Sequence, residues 1–161
     1  MMISRWLLII LMLAACAVSG ISSSAASLHK TGQSDEADRE EDNILYLQIG
    51  SRTFTATLAK NSSTDALKKL LTENPITIDM RDYGKFEKIG GLGTSLPTND
   101  EQITTKPGDL MLYQGNELVI FYAPNAWSYT RLGKINNITP GELKEALGSG
   151  NITVTLTLSA N

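Results

Sequence analysis

The chain has 161 residues, room for one domain with appendages, and its 14 Lys and Arg against 17 Asp and Glu leave a net charge of -3. A single cysteine and a single histidine exclude a disulfide framework. Because Cys16 and His29 both precede the region read below as folded, that region also has no Ser-His or Cys-His couple and no Cys or His metal ligand.

The chain opens with Arg5 followed by an unbroken apolar run from Trp6 to Ala15. As a helix that run spans only ~15 Å, half of a ~30 Å hydrocarbon core, so it reads as a secretory signal rather than a transmembrane segment. Leu13-Ala14-Ala15-Cys16 is similar to a bacterial lipobox. The resemblance implies cleavage after residue 15, acylation of Cys16 and anchoring in a bacterial cell envelope, outside the cytoplasm. Ala17, in place of Asp, fits an outer-membrane destination in diderm bacteria. Residues 16–42 are rich in Ser, Ala and charge without apolar periodicity and read as a disordered tether. Six acids crowd Asp35–Asp42, so residues 43–161 are formally neutral, with eleven acids against eleven Lys and Arg. A neutral domain argues against nucleic acid as a partner.

Residues 43–161 suffice for one compact core. Ile44–Ile49 and Arg52–Leu58 read as strands joined by Gly50-Ser51. A helix is expected over Thr64–Thr72, capped by Ser62 with Asp65, its stripe formed by Ala66, Leu67, Leu70 and Leu71. Ile76–Met80 alternates as a strand. The Gly- and Pro-bearing region Tyr83–Gly108 is too long for a plain connection and is a candidate for function. Asp109–Gln114 and Glu117–Tyr122 form a hairpin across Gly115-Asn116 that is apolar on both faces, Leu110, Leu112, Leu118 and Ile120 on one, Met111, Tyr113, Val119 and Phe121 on the other. Such a sheet must be covered on both sides. After a strand over Trp127–Ile135, Thr139, Pro140, Glu142 and Gly148 supply the cap, first position, capping box and stop of a second helix. Asn151 to Ser159 is a final alternating strand. The fold class expected is mainly β, about eight strands closed into a barrel with two short helices.

The order of elements, together with Asp82–Lys88, Ser95–Gln102, Pro107–Leu110 and Trp127–Ile135, resembles the bacterial cyclophilin-like domain family over the whole of residues 43–161. The resemblance implies an eight-stranded barrel plugged by two helices. True cyclophilins isomerise X–Pro bonds by holding the proline ring in an apolar pocket and directing a guanidinium at the twisting amide, a mechanism that needs no nucleophile. Phe86-Glu87-Lys88-Ile89 resembles their Phe-His-Arg-Ile stretch with Lys88 in the arginine's place, and a lysine lacks the planar fork. Glu117 stands where a glutamine is usual, and the histidine at the far end of the groove is missing.

Trp127, Tyr129 and Arg131 fall on alternate residues of one strand and so on one face. An arginine is almost never buried alone, so either this face emerges at the barrel's mouth or Arg131 pairs with a carboxylate, for which Glu117 is the candidate. The mouth reading gives a groove of Phe86, Lys88, Tyr113, Glu117, Phe121, Trp127, Tyr129 and Arg131, aromatic and cationic, suited to a peptide or a small ligand. The expected function is a membrane-anchored, extracytoplasmic binding module without strong catalysis. The alternatives are a weak prolyl isomerase of the envelope and a structural envelope component. No cofactor and no metal are expected: no acidic cluster has EF-hand spacing, and Gly90-Gly91-Leu92-Gly93 lacks the strand-to-helix setting of a phosphate loop.

Overall fold

The computed structural model describes residues 43–160; the signal segment, the tether, Cys16 and His29 lie outside them. The elements, in chain order, are β1 (Ile44–Ile49), β2 (Arg52–Leu58), α1 (Ser62–Glu73), β3 (Ile76–Tyr83), β4 (Glu87–Gly91) and β5 (Glu101–Thr104). They continue with β6 (Asp109–Tyr113), β7 (Glu117–Phe121), β8 (Ala126–Ile135), α2 (Pro140–Leu147) and β9 (Ile152–Thr157).

Hydrogen-bonded neighbours run β2-β1-β9-β3-β4-β7-β6-β8, and a further pairing of β2 with β8 closes the ring. Eight antiparallel strands thus form a barrel, with β5 added outside the ring along the first half of β8. Closure depends on Gly133, which faces Leu58 on β2 and Leu110 on β6. A Cβ there would collide with the Thr57 carbonyl oxygen and lie 3.1 Å from Leu58 Cα, so only glycine lets the two backbones meet. A bulge between Leu110 and Met111 in the β6–β8 register sits at the same place, where the strand must bend to complete the circle.

The hairpin β6–β7 divides its apolar residues as the alternation requires. Leu110, Leu112, Leu118 and Ile120 join the interior core with Leu45, Leu47, Ile78, Met80, Val154 and Leu156. Leu67 and Leu71 of α1 and Leu143 and Leu147 of α2 complete that core. Met111, Val119, Phe121, Ile89, Ile103 and Tyr129 form a second cluster on the outer side of the wall, with Ile103 contributed by β5. A barrel wall covered on both sides explains why this hairpin could afford no polar face.

The structure corrects two local expectations. Asn61, not Ser62, caps α1: its side chain accepts from Thr64 N at 3.0 Å, while the Thr64 hydroxyl accepts from Asn61 N at 3.2 Å. Asn61 also donates from Nδ2 to the Arg131 carbonyl at 2.7 Å, which fixes the helix to β8. The region Tyr83–Gly108 is not one long loop but contains β4 and β5. β4 was hard to read because Glu-Lys-Ile-Gly-Gly has few β-formers, yet Gly90 is needed there: a Cβ would lie 2.6 Å from the Asp79 carbonyl oxygen of β3. The remainder, 92–100, is fastened by Leu92 N to Asn116 O (2.8 Å), Leu96 N to Gly115 O (2.7 Å) and Asn99 N to the Thr130 hydroxyl (2.7 Å). At α2 the Thr139–Glu142 capping box forms, with Pro140 in the first turn and Gly148 as C-cap.

Candidate functional site

The outer cluster does not cover itself completely. Between β3, β4, β7 and β8 it leaves an open concavity of about 330 Å³. Phe121, fully buried, lies beneath it, stacked on Phe86 with ring centroids 6.4 Å apart and planes 3° apart. Tyr129 packs edge-on to Phe121 at 5.3 Å, and Tyr113 meets Tyr129 at 5.9 Å. Trp127, 58% exposed, and Tyr83, 55% exposed, are the large apolar side chains left open to solvent among the described residues, and both line the concavity. Edge-to-face and offset contacts of this kind fix ring positions, so the aromatic surface is preformed rather than assembled on binding.

Two carboxylates enter this apolar setting. Glu117, at the start of β7, is half-buried. Glu87, at the start of β4, lies beside Phe121 in the strand register and is only 4% exposed. Its Oε2 is buried and has no hydrogen-bond partner among the described residues. Burial, reinforced by the charge of Glu117 and only partly relieved by Arg81, raises its pKa from 4.5 to about 7. The Tyr129 phenol is also held above its usual range, first by burial and then by the charge of Glu87, while its oxygen accepts from Asn125 Nδ2 at 2.9 Å. Arg81, over the ring of Tyr83 at 5.8 Å, stands at the edge.

Of the groove residues expected from the sequence, Phe86, Tyr113, Glu117, Trp127 and Tyr129 line this concavity, and Phe121 lies under it. Lys88 does not join them. It is fully buried on the opposite side of β4, where Nζ donates to Asp82 Oδ2 at 2.8 Å and to the Gly150 carbonyl at 2.6 Å. The reason is local. Phe86 sits in the turn Gly84-Lys85-Phe86, where Gly84 and Lys85 both have positive φ, so the alternation that would put Phe86 and Lys88 on one face starts afresh at Glu87. Arg131 pairs with Asp109 at 3.7 Å, not with Glu117, and Lys134 reaches the same carboxylate at 3.6 Å. The concavity is therefore on the barrel's outer wall, not at its mouth, and it is aromatic and acidic rather than cationic.

Sequence reasoning missed Arg81, Tyr83, Glu87, Ile89 and Asn125. A signal for Glu87 did exist: the Tyr-Gly-Lys stretch is a turn, and counting strand parity from its far end puts Glu87 and Ile89 together. Among the described residues no group of three or more His, Cys, Asp or Glu is placed to hold a metal ion.

The sequence that builds the closed ring has a counterpart in a known family. A family model described as the cyclophilin-like family matches residues 47–157. The chain belongs to the cyclophilin-like family. No curated protein matches it. The cyclophilin-like domain is similar in fold to a hypothetical protein of Archaeoglobus fulgidus whose solution structure is known, with a TM-score of 0.56 and 14% sequence identity. That likeness covers 76% of this chain and 98% of the archaeal one. In this cyclophilin-like domain Lys88, which resembles in position the arginine of true cyclophilins, is committed to an ion pair with Asp82, and other side chains line the wall.

Proposed function

We propose that this cyclophilin-like domain is a binding module, held outside the cytoplasm by lipid on Cys16, that takes a short peptide segment or a small amphipathic ligand on the outer wall of its barrel. The observation that carries this reading is the preformed aromatic concavity, with two large rings left in water at its border. A contiguous apolar surface rimmed by polar groups is the mark of a ligand groove or an interaction site. Catalysis of prolyl isomerisation is the less supported reading. Lys88, the side chain that would replace the catalytic guanidinium, is fully buried and points away from the concavity.

Titration of the full-length protein with blocked peptides, followed through the Trp127 indole resonance, tests the module. Peptides carrying apolar residues should shift that resonance, and Trp127→Ala should weaken binding about tenfold, since an aromatic anchor contributes on the order of 1–2 kcal/mol. Unchanged affinity in the Trp127→Ala protein would place recognition elsewhere. Acceleration of proline isomerisation by the unmodified protein would favour the enzyme.

The anchor is tested separately. The mature protein should begin at Cys16 and carry acyl chains by mass, and Cys16→Ala should release it from the membrane fraction; an unlipidated mature form would remove the anchor from the account.

A further inference from the structure

We infer that the concavity selects an ammonium group on an apolar stem, as in a lysine side chain or a free alkylamine, with Glu87 as its counter-ion. The inference rests on the binding-module reading and names the chemistry of what is bound.

Three observations carry it. Glu87 is 4% exposed, lines the concavity and has Oε2 buried without a hydrogen-bond partner. A buried carboxyl oxygen with no donor costs free energy in the unliganded protein, and a ligand that brings a donor and a positive charge recovers it. Second, Glu117 lines the same wall and its negative charge reaches Glu87, so two carboxylates face a space in which Arg81 is the only lining cation among the described residues. Third, the surface leading to Glu87 is built of Phe86, Tyr113, Trp127 and Tyr129. Such rings accept both a methylene stem and a cation over their faces. A carboxylate ligand would meet like charge from Glu87 and Glu117, with Arg81 the one cation against them among the described lining residues. Lys88 does not supply another, because its buried ammonium donates to Asp82 and the Gly150 carbonyl on the other side of β4.

The titratable and charged groups around Glu87 are Glu117 of β7, Arg81 and Tyr83 of β3, Tyr113 and Tyr129 of β6 and β8, and Tyr122, which follows β7 and feels its charge. Glu87 changes charge near neutrality, so amine binding should weaken as pH falls from 8 to 5.

The test compares n-pentylamine with n-pentanol, which has the same stem without the charge, by calorimetry on the full-length protein. Pentylamine should bind at least tenfold more tightly at pH 8, and that preference should shrink at pH 5. Glu87→Gln should remove most of that preference; Glu117→Gln should reduce it less. A blocked Ala-Lys-Ala peptide, against its norleucine counterpart, distinguishes a peptide source from a free amine. Equal affinity for amine and alcohol, with both bound at the groove, would overturn the ammonium assignment and leave the binding module standing. If neither compound nor the peptides bind, both fall. An intact preference in the Glu87→Gln protein would transfer the counter-ion role elsewhere and overturn the assignment to Glu87. Because the pH series is run on the unaltered protein, it remains decisive even if a variant folds poorly.

Discussion

The unliganded protein is expected to lose stability as pH rises through neutrality, and Glu87→Gln to abolish that loss. The folded carboxyl of Glu87 titrates at about 7 against 4.5 in the unfolded chain. Between those values the native state holds a proton that the unfolded state has released, so the slope of stability against pH is negative. Below pH 4.5 both states are protonated; above 7 both are ionised, and the native state has given up about 3 kcal/mol. Asp82 acts in the opposite sense and in another window. Its hydrogen bonds with Lys88 and Tyr122 hold its pKa below 3.8, so its contribution is complete above that value and disappears as pH falls further. Urea denaturation at pH 5 and pH 8 separates the two. Parallel pH dependence in the unaltered and Glu87→Gln proteins would mean that Glu87 is solvated or paired in solution.

Asp82→Ala is expected to cost roughly 3 kcal/mol, more than Lys88→Met. Lys88 is among the largest of the fully buried side chains, and its ammonium is balanced by Asp82. Removing the carboxylate leaves a buried cation with only the Gly150 carbonyl, and deprives the Tyr122 hydroxyl of its acceptor, 2.6 Å away. Removing the lysine charge leaves Asp82, a third exposed, able to turn to water, and the methionine fills the space. Chemical denaturation of the two variants at pH 7 gives the comparison. If Lys88→Met proved the more damaging, the pair would be held together by the lysine's packing rather than its charge. The pair joins β3 and β4 to the segment between α2 and β9, so its loss should first loosen that junction, away from the aromatic wall.

How the sequence led to the site depends on the element. The β6–β7 hairpin was legible because strict alternation with apolar residues on both faces admits only a sheet covered on both sides. The second helix was legible because Thr139, Pro140, Glu142 and Gly148 act through local backbone geometry. Tyr113, Glu117, Trp127 and Tyr129 were found for the same reason as the hairpin: they sit on regular strands, where parity predicts the face. Lys88 was misplaced and Glu87 missed because one turn with two positive-φ residues resets that parity. Arg131 was given the wrong partner because nothing in the local pattern around Arg131 tells that β6 brings Asp109, rather than Glu117, within reach.

Local sequence by itself determined the strands with clear alternation, the stop and start of α2, the neutral charge of the folded part and its freedom from cysteine and histidine. It also carried enough pattern to suggest the barrel. Only the tertiary structure decided where the concavity opens, that its charge is acidic, and that its most buried carboxyl has no partner. Periodicity acts over a few residues and so fixes which face a side chain takes. Which charges meet across that face depends on strand order and register, set by contacts between residues far apart in the chain.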